Sequence, residues 1–98
     1  MGTAKAALEN CVRQLASEYG KDNLRVNAIS AGPLPTLAAR SINGFNTMRK
    51  AHAERSPLKR NITHEEVANA SCFMLSELSS GITGAIIPVD SGYGIMGI

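Results

Sequence analysis

The stretch Leu24-Arg25-Val26-Asn27-Ala28-Ile29-Ser30 is short and partly β-branched. It is bounded by Lys21-Asp22-Asn23 before it and by Ala31-Gly32-Pro33 after it, and both flanks are typical of turns. Pro33 and Pro35 then exclude regular structure until about Thr36. The pattern therefore predicts a β-strand over residues 24–30 that ends in a proline-rich loop.

A second strand is predicted within residues 84–90, where Ala85-Ile86-Ile87-Pro88-Val89 forms a nearly unbroken apolar run. Such a run is typical of a parallel strand that is covered on both faces, and Pro88 indicates an edge position. A helix is predicted before it, over residues 63–78, because Thr63 and Glu66 have the spacing of a capping box. A strand, a helical crossover and a second strand indicate a right-handed βαβ unit of an α/β fold.

Two further segments complete the predicted order of helix, strand, lid, helix and strand. Residues 3–19 place apolar side chains on one helical face, and Gly20 provides the stop. Residues 37–53 show a weaker helical pattern that Asn43-Gly44 interrupts, which favours a mobile lid, and we expect residues 36–52 to be the most mobile internal segment. Because two parallel strands are too few for a stable sheet, we expect residues 1–98 to belong to one larger domain.

Composition and charge exclude several classes of function. The 10 basic and 8 acidic residues are spread along the chain, so nucleic acid is not predicted as a partner. No apolar run of about 18 residues occurs and no secretory signal is visible, so no membrane span is predicted. Cys11 and Cys72 lie in helical patterns and are predicted to be buried free thiols. His52 and His64 lack partners at metal-ligand spacing, so no metal site is predicted.

The segment Gly92-Tyr93-Gly94-Ile95-Met96-Gly97 matches the dinucleotide motif G-x-G-x-x-G letter for letter. The motif works by presenting a pyrophosphate to the first turn of the helix that follows it. Only Ile98 remains after the last glycine, and no acidic residue lies some 20 positions further on. We therefore interpret the match as accidental, within a flexible glycine-rich tail.

A different stretch, from Arg25 to Ala39, closely resembles the enoyl-acyl-carrier-protein reductases, a divergent branch of the short-chain dehydrogenases. The order Ala31-Gly32-Pro33 is characteristic of this branch, whereas the commoner dehydrogenases end the strand in Pro-Gly. Ser91 departs slightly from the usual Asp-Gly-Gly. The resemblance covers essentially all 98 residues but only about the last two-fifths of such an enzyme, and its further matches are Met1–Glu9, Ser56–Arg60, Gly81–Gly84 and Val89–Gly92.

The resemblance implies the carboxy-terminal portion of a Rossmann-type doubly wound parallel sheet. It also implies reduction of the 2,3 double bond of enoyl-acyl-carrier-protein with NADH in fatty acid biosynthesis, by a cytoplasmic homo-oligomer, typically a tetramer. In this family a Tyr donates to the enolate oxygen, and it lies seven positions before the Lys matched by Lys5, which falls three residues before Met1. Hence we expect the 98 residues alone neither to bind NADH usefully nor to reduce an enoyl thioester.

The same resemblance assigns site residues. Lys5 matches the Lys that holds the cofactor ribose and favours the polarised Tyr, Leu34 matches the position whose backbone grips the nicotinamide carboxamide, and Thr36 matches a hydroxyl that contacts the pyrophosphate. Structural alternatives are a solvated lysine, a turn-stabilising threonine and an amphipathic core helix. Asp90 is interpreted as a turn residue at the strand end. The residues that resemble the lid over the acyl chain are Ala38, Ala39, Ile42, Phe45 and Met48.

Two other hypotheses remain open at this point. The chain could be a non-catalytic truncated subunit that pairs with full-length subunits. It could instead be another short-chain dehydrogenase, such as a 3-oxoacyl-acyl-carrier-protein reductase. In those enzymes the Tyr precedes the Lys by four positions, which here falls on Met1. A Tyr three positions before Met1 would favour the enoyl reductase.

Overall fold

The computed structural model describes residues 2–96, except for the side chain of Arg40. The predicted order of helices and strands is confirmed, and the segment predicted as a lid forms two helices on either side of Asn43-Gly44. Three short 3-10 turns, Gly20–Asp22, Glu77–Ser79 and Tyr93–Ile95, punctuate the chain. The main elements are α1 Gly2–Tyr19, β1 Ala28–Ala31, α2 Leu37–Arg40, α3 Phe45–Arg55, α4 His64–Leu75 and β2 Ile86–Val89.

The two strands pair in parallel, as predicted. The amide of Ala28 donates to the carbonyl of Ala85, and the amide of Gly32 donates to the carbonyl of Val89, each at 2.9 Å, so the partners advance together along both strands. β1 begins four residues later than predicted, at Ala28. Before that point one backbone bond joins the two segments, from the amide of Gly84 to the carbonyl of Val26 at 2.8 Å. The other bonds are made by side chains: the amide of Val26 donates to Oγ1 of Thr83, and the Asn27 side-chain amide bonds the backbone of Ile82 and Ala85.

The chain forms two compact units, and the boundary between them falls within β1, α4 and β2. The first unit comprises residues 1–29 and 70–87. Its buried apolar side chains are Val12 and Ala16 of α1 and Met74 of α4. Gly84 has a φ of +73°, and a methyl group there would lie 3.5 Å from Cβ of Ala16, so glycine satisfies both the backbone and the packing.

The predicted burial of the two cysteines is wrong, although both are free thiols. Cys11 precedes the buried Val12 by one residue, and Cys72 precedes the buried Met74 by two. At about 100° per helical residue, these offsets turn both thiols away from the buried faces of α1 and α4. The apolar spacing predicted both helices correctly, but it did not determine which side of each helix is buried.

The second unit comprises residues 30–69 and 88–98. Phe45 and Ile62 are buried in it, together with the hydroxyls of Ser56 and Ser91. The predicted capping box is confirmed, because Oε1 of Glu66 accepts from the amide of Thr63 at 2.9 Å and Oγ1 of Thr63 accepts from the amide of Glu66 at 3.1 Å. α4 ends at Leu75, three residues earlier than predicted, because Oγ of Ser76 accepts from the amide of Leu78 and starts a new turn.

After β2 the chain folds around Asp90. Its carboxylate accepts from the amides of Gly92 and Gly94, both at 3.0 Å, and Gly92 has a φ of +86°. The prediction of Asp90 as a turn residue is confirmed. The following turn is 3-10 and short, so the described part of the G-x-G-x-x-G match shows no α-helix, and Gly97 lies outside the described residues. Within residues 2–96, no helix is both long enough and apolar enough to cross a membrane.

Candidate cofactor and substrate site

Lys5 lies in the second turn of α1, in the first unit, and its side chain is exposed. Among residues 2–96 it makes no ion pair or side-chain hydrogen bond. The first turn of α1 contains no acidic residue that would neutralise it. The ammonium group is therefore available to a ligand, as the predicted role requires.

The loop after β1 carries Leu34 and Thr36 in the second unit. The amide of Thr36 donates to the carbonyl of Leu34 at 2.8 Å. This bond closes a tight turn around Pro35, just before α2 begins. The amide of Leu34 has no partner within residues 2–96. A backbone donor left free in a half-buried, proline-flanked turn is suited to hydrogen-bonding a ligand carbonyl.

Thr36 is the N-cap of α2. Its Oγ1 accepts from the amide of Ala39 at 3.1 Å, and its backbone is extended. This confirms the structural interpretation of Thr36 and is compatible with the functional one, because a hydroxyl that accepts one bond still has a proton to donate. The geometry thus fixes the oxygen while leaving its donor free for an anion such as a phosphate.

The predicted acyl contacts form two short helices that differ in exposure. Ala38 is exposed and Ala39 half-buried on α2. Ile42 is 63% exposed and Met48 is 49% exposed, whereas Phe45 is only 6% exposed and belongs to the core of its unit. A cavity of about 500 Å³ lies here, and its lining consists of Pro35 and residues 42–47, with Ile42 and Phe45 among them.

A second cavity, of about 530 Å³, lies in the first unit along residues 23–29 and beside Ser71, Met74 and Leu75. It contains none of the predicted site residues. The structure therefore brings Leu34, Thr36 and the lid residues together in the second unit, while Lys5 lies in the first.

One contact beside the loop was not predicted from the sequence. The rings of His52 on α3 and Tyr93 in the last 3-10 turn stack with centroids 4.0 Å apart and planes inclined by 12°. Gly32, at the end of β1, lies against the His52 ring, because a methyl group at Gly32 would be 3.2 Å from Cε1. The sequence had suggested that Tyr93 lies in a free tail. The separation of 41 positions between the two aromatic residues leaves no local pattern that could have indicated the stack.

These features define a class: a parallel βαβ unit with a proline-rich loop at a strand end, as in Rossmann-type oxidoreductases. The family model described as enoyl-(acyl carrier protein) reductase matches residues 1–94, and the chain belongs to that family. Among known structures, a Bacillus cereus enoyl-acyl carrier protein reductase solved with NADP+ and indole naphthyridinone is 49% identical, with a TM-score of 0.95. The match covers 100% of this chain and 38% of that one.

The curated relatives that the chain matches are described by the same enzyme name as the family model. The enoyl-[acyl-carrier-protein] reductase [NADH] of Rickettsia prowazekii is 58% identical over 97 residues, which are 99% of this chain and 37% of that protein. The corresponding NADPH enzyme of Staphylococcus aureus is 56% identical over 93 residues, which are 95% of this chain and 36% of that protein. The chain thus spans a little over a third of the length of the curated relatives that it matches, corresponding to their carboxy-terminal part.

Proposed function

We propose that this chain contributes the nicotinamide-side loop, the ribose-binding lysine and the acyl lid of an enzyme that reduces enoyl-acyl-carrier-protein with NADH. The observation that supports this most directly is the loop of Leu34 and Thr36, where one free backbone amide and one hydroxyl with a free proton lie two residues apart. Those two donors fit the carboxamide and a phosphate oxygen of a nicotinamide dinucleotide. When bound, NADH supplies the hydride.

Each residue of the chain then has a defined task. The Leu34 amide orients the carboxamide and so fixes which face of the nicotinamide is presented. The Thr36 hydroxyl donates to the pyrophosphate. The Lys5 ammonium holds the ribose and by its charge favours the polarised Tyr that donates to the substrate oxygen, an effect that is strongest in the transition state. The exposed apolar side chains Ile42 and Met48 cover the acyl chain and exclude water.

The test is a chimera in which these 98 residues replace the matched 97 residues of the R. prowazekii enzyme. We expect the chimera to oxidise NADH in the presence of crotonyl thioester, with the unaltered R. prowazekii enzyme as the positive control. A folded chimera without activity would contradict the proposal. The 98 residues assayed alone are expected to be inactive, because the predicted contacts of Lys5, Leu34 and Thr36 amount to a few hydrogen bonds of about 1 kcal/mol each, up to about 3 if charge-assisted.

Lys5 can be tested separately in the same chimera. Lys5→Met should lower kcat/KM by about 100-fold or more, since it removes an electrostatic contribution made mainly in the transition state. Lys21→Met is the matched control, because Lys21 is another exposed lysine of the first unit that the proposal does not use. Equal activity of the two variants would contradict the role assigned to Lys5.

We also propose that the reductase is a homo-oligomer, a tetramer as in its family. The support is the apolar surface of α1, where Leu8, Leu15 and Tyr19 are exposed in the described chain. Light scattering of the chimera after gel filtration tests this, and a monomeric mass would contradict it.

A further inference from the structure

We propose that His52 is a positioning residue that braces the cofactor loop, an inference that rests on the proposed function. His52 does so from the lid helix α3, by packing its ring between Tyr93 and the backbone of Gly32. It touches neither cofactor nor substrate in this scheme. Its packing fixes the positions of the Leu34 amide and the Thr36 hydroxyl.

The first step of the argument is the fixed position of Tyr93. Asp90 accepts from the amides of Gly92 and Gly94 through its carboxylate and from the amide of Tyr93 through its carbonyl, at 3.0 to 3.1 Å. These three bonds hold the turn that carries the Tyr93 ring. The His52 ring stacks on it almost in parallel, so one side of the imidazole is supported by a fixed surface.

The other contact of the ring is with Gly32. A methyl group at Gly32 would lie 3.2 Å from Cε1 and 3.4 Å from Nε2 of His52, and 3.4 Å from Cα of Asp90. Gly32 is therefore a glycine because the ring and the Asp90 backbone approach it closely. The amide of Gly32 donates to the carbonyl of Val89, so β2 fixes its backbone, and the His52 ring fills the space that a side chain at position 32 would take.

Gly32 is followed directly by Pro33-Leu34-Pro35-Thr36. Each proline fixes its own φ and restricts the residue before it, so the segment from Gly32 to Thr36 has few free torsions. A displacement of Gly32 is therefore passed on to Leu34 and Thr36. The His52 ring acts on the loop through this short, stiff connection.

The chemistry of the ring indicates packing. Nδ1 of His52 is buried and has no hydrogen-bond partner within the described residues. The contacts that the ring makes within the described residues are packing contacts, with Tyr93 and beside Gly32. Phenylalanine has a similar flat ring and no polar atom to leave unpaired, so it should replace His52 in this role.

The first test compares His52→Ala, His52→Phe and the control His64→Ala in the chimera. His64 is an exposed histidine at the start of α4. We expect His52→Ala to raise KM for NADH about fivefold or more, because the loop binds the cofactor, and to lower kcat as well, because a displaced Leu34 amide no longer orients the carboxamide. His52→Phe and His64→Ala should stay within about twofold of the parent. An unchanged KM in His52→Ala, or His52→Phe behaving like His52→Ala, would overturn the inference.

The second test does not depend on activity. In the chimera, the hydrogen bond from the Thr36 amide to Leu34 should open more often when the brace is removed, so its hydrogen exchange should accelerate about tenfold in His52→Ala and remain unchanged in His64→Ala. If His52→Ala fails to fold, Tyr93→Leu removes the stacking partner instead and should act in the same direction. Equal exchange in variant and control overturns the inference whether or not the chimera is active, whereas an inactive parent chimera with accelerated exchange counts against the proposed function alone.

Discussion

Arg25 and Ser79 are joined by two hydrogen bonds from a single guanidinium nitrogen. Nη1 of Arg25 lies 2.8 Å from the carbonyl oxygen of Ser79 and 3.1 Å from its Oγ, and Ser79 is only 1% exposed. The other nitrogen, Nη2, donates to the carbonyls of Met74 and Ser76. These carbonyls lie at and just beyond the end of α4, where helix carbonyls lack partners and carry partial negative charge. Arg25 therefore caps the carboxy-terminal end of α4 and links this end to the segment before β1.

Replacement of Arg25 by lysine should destabilise the chain by about 2–3 kcal/mol. Lysine keeps the charge but has no planar fork that reaches several carbonyls at once, and each carbonyl left unpaired carries a cost. Urea unfolding of the chimera, followed by circular dichroism, measures the change. Arg13→Lys is the matched control, because Arg13 is exposed on α1, and its effect should lie within about 0.5 kcal/mol. Equal midpoints for the two variants would contradict the assignment.

Replacement of Ser91 by glycine should stabilise the chain by about 1–2 kcal/mol. Ser91 has a φ of +58°, a conformation that costs a non-glycine residue about 1–2 kcal/mol. Its Oγ is also buried without a partner among residues 2–96, which adds to the cost. The greater freedom of glycine in the unfolded chain offsets about 0.5–1 kcal/mol. Ser80→Gly is the control, since Ser80 is exposed with a φ of −58° and should show no gain in the same urea experiment.

The start of α4 should depend on pH through Glu66. The hydrogen bond from Arg60 first, and then the backbone amide of Thr63, lower the pKa of Glu66 from 4.5 to about 2. A carboxylate whose pKa is depressed on folding stabilises the fold fully above its ordinary pKa, and this contribution is lost as pH falls from about 4.5 towards 2. The pair is exposed, so added salt should weaken the effect.

The measurement is a carboxyl NMR titration of Glu66, together with urea midpoints on both sides of that pH window. Glu66→Gln should reduce the loss of stability at low pH. Glu65→Gln should leave it as in the parent, because Glu65 is exposed and makes no side-chain hydrogen bond or ion pair in the described part of the chain. A Glu66 that titrates near its ordinary value would contradict the prediction.

Local patterns predicted the fold well where the cause was local. Thr63 and Glu66 are three residues apart, and their capping box formed as the spacing indicated. The parallel pairing also followed from the order of the elements. The strand start at residue 24 was wrong because the regular ladder begins at Ala28, and before it the side chains of Asn27 and Thr83 make most of the bonds, which no apolar pattern indicates.

The site was predicted by resemblance, and its surroundings required the structure. Spacing placed Cys11 and Cys72 on helices but did not show which faces the unit covers. The contact of His52 with Tyr93 and Gly32 joins three distant segments, and only the folded chain brings them together. The roles of Lys5, Leu34, Thr36 and the lid residues stay predictions until the chimera is assayed.

The division of the lid into exposed and buried residues predicts a dependence on acyl-chain length. Ile42 and Met48 are largely exposed and free to contact a long acyl chain, whereas Phe45 packs inside its own unit. In the chimera, Ile42→Ala and Met48→Ala should each raise KM for a dodecenoyl thioester about three- to tenfold, because each lost methylene contact is worth about 0.8 kcal/mol. The same variants should change KM for crotonyl thioester by less than about twofold.

Phe45→Ala should instead lower the activity on both substrates alike and lower the thermal stability, since it leaves a cavity in the core. Leu58→Ala, at an exposed leucine of the same unit outside the lid, is the control and should affect neither substrate. Equal effects of Met48→Ala on the short and the long substrate would show that the side chain does not cover the acyl chain.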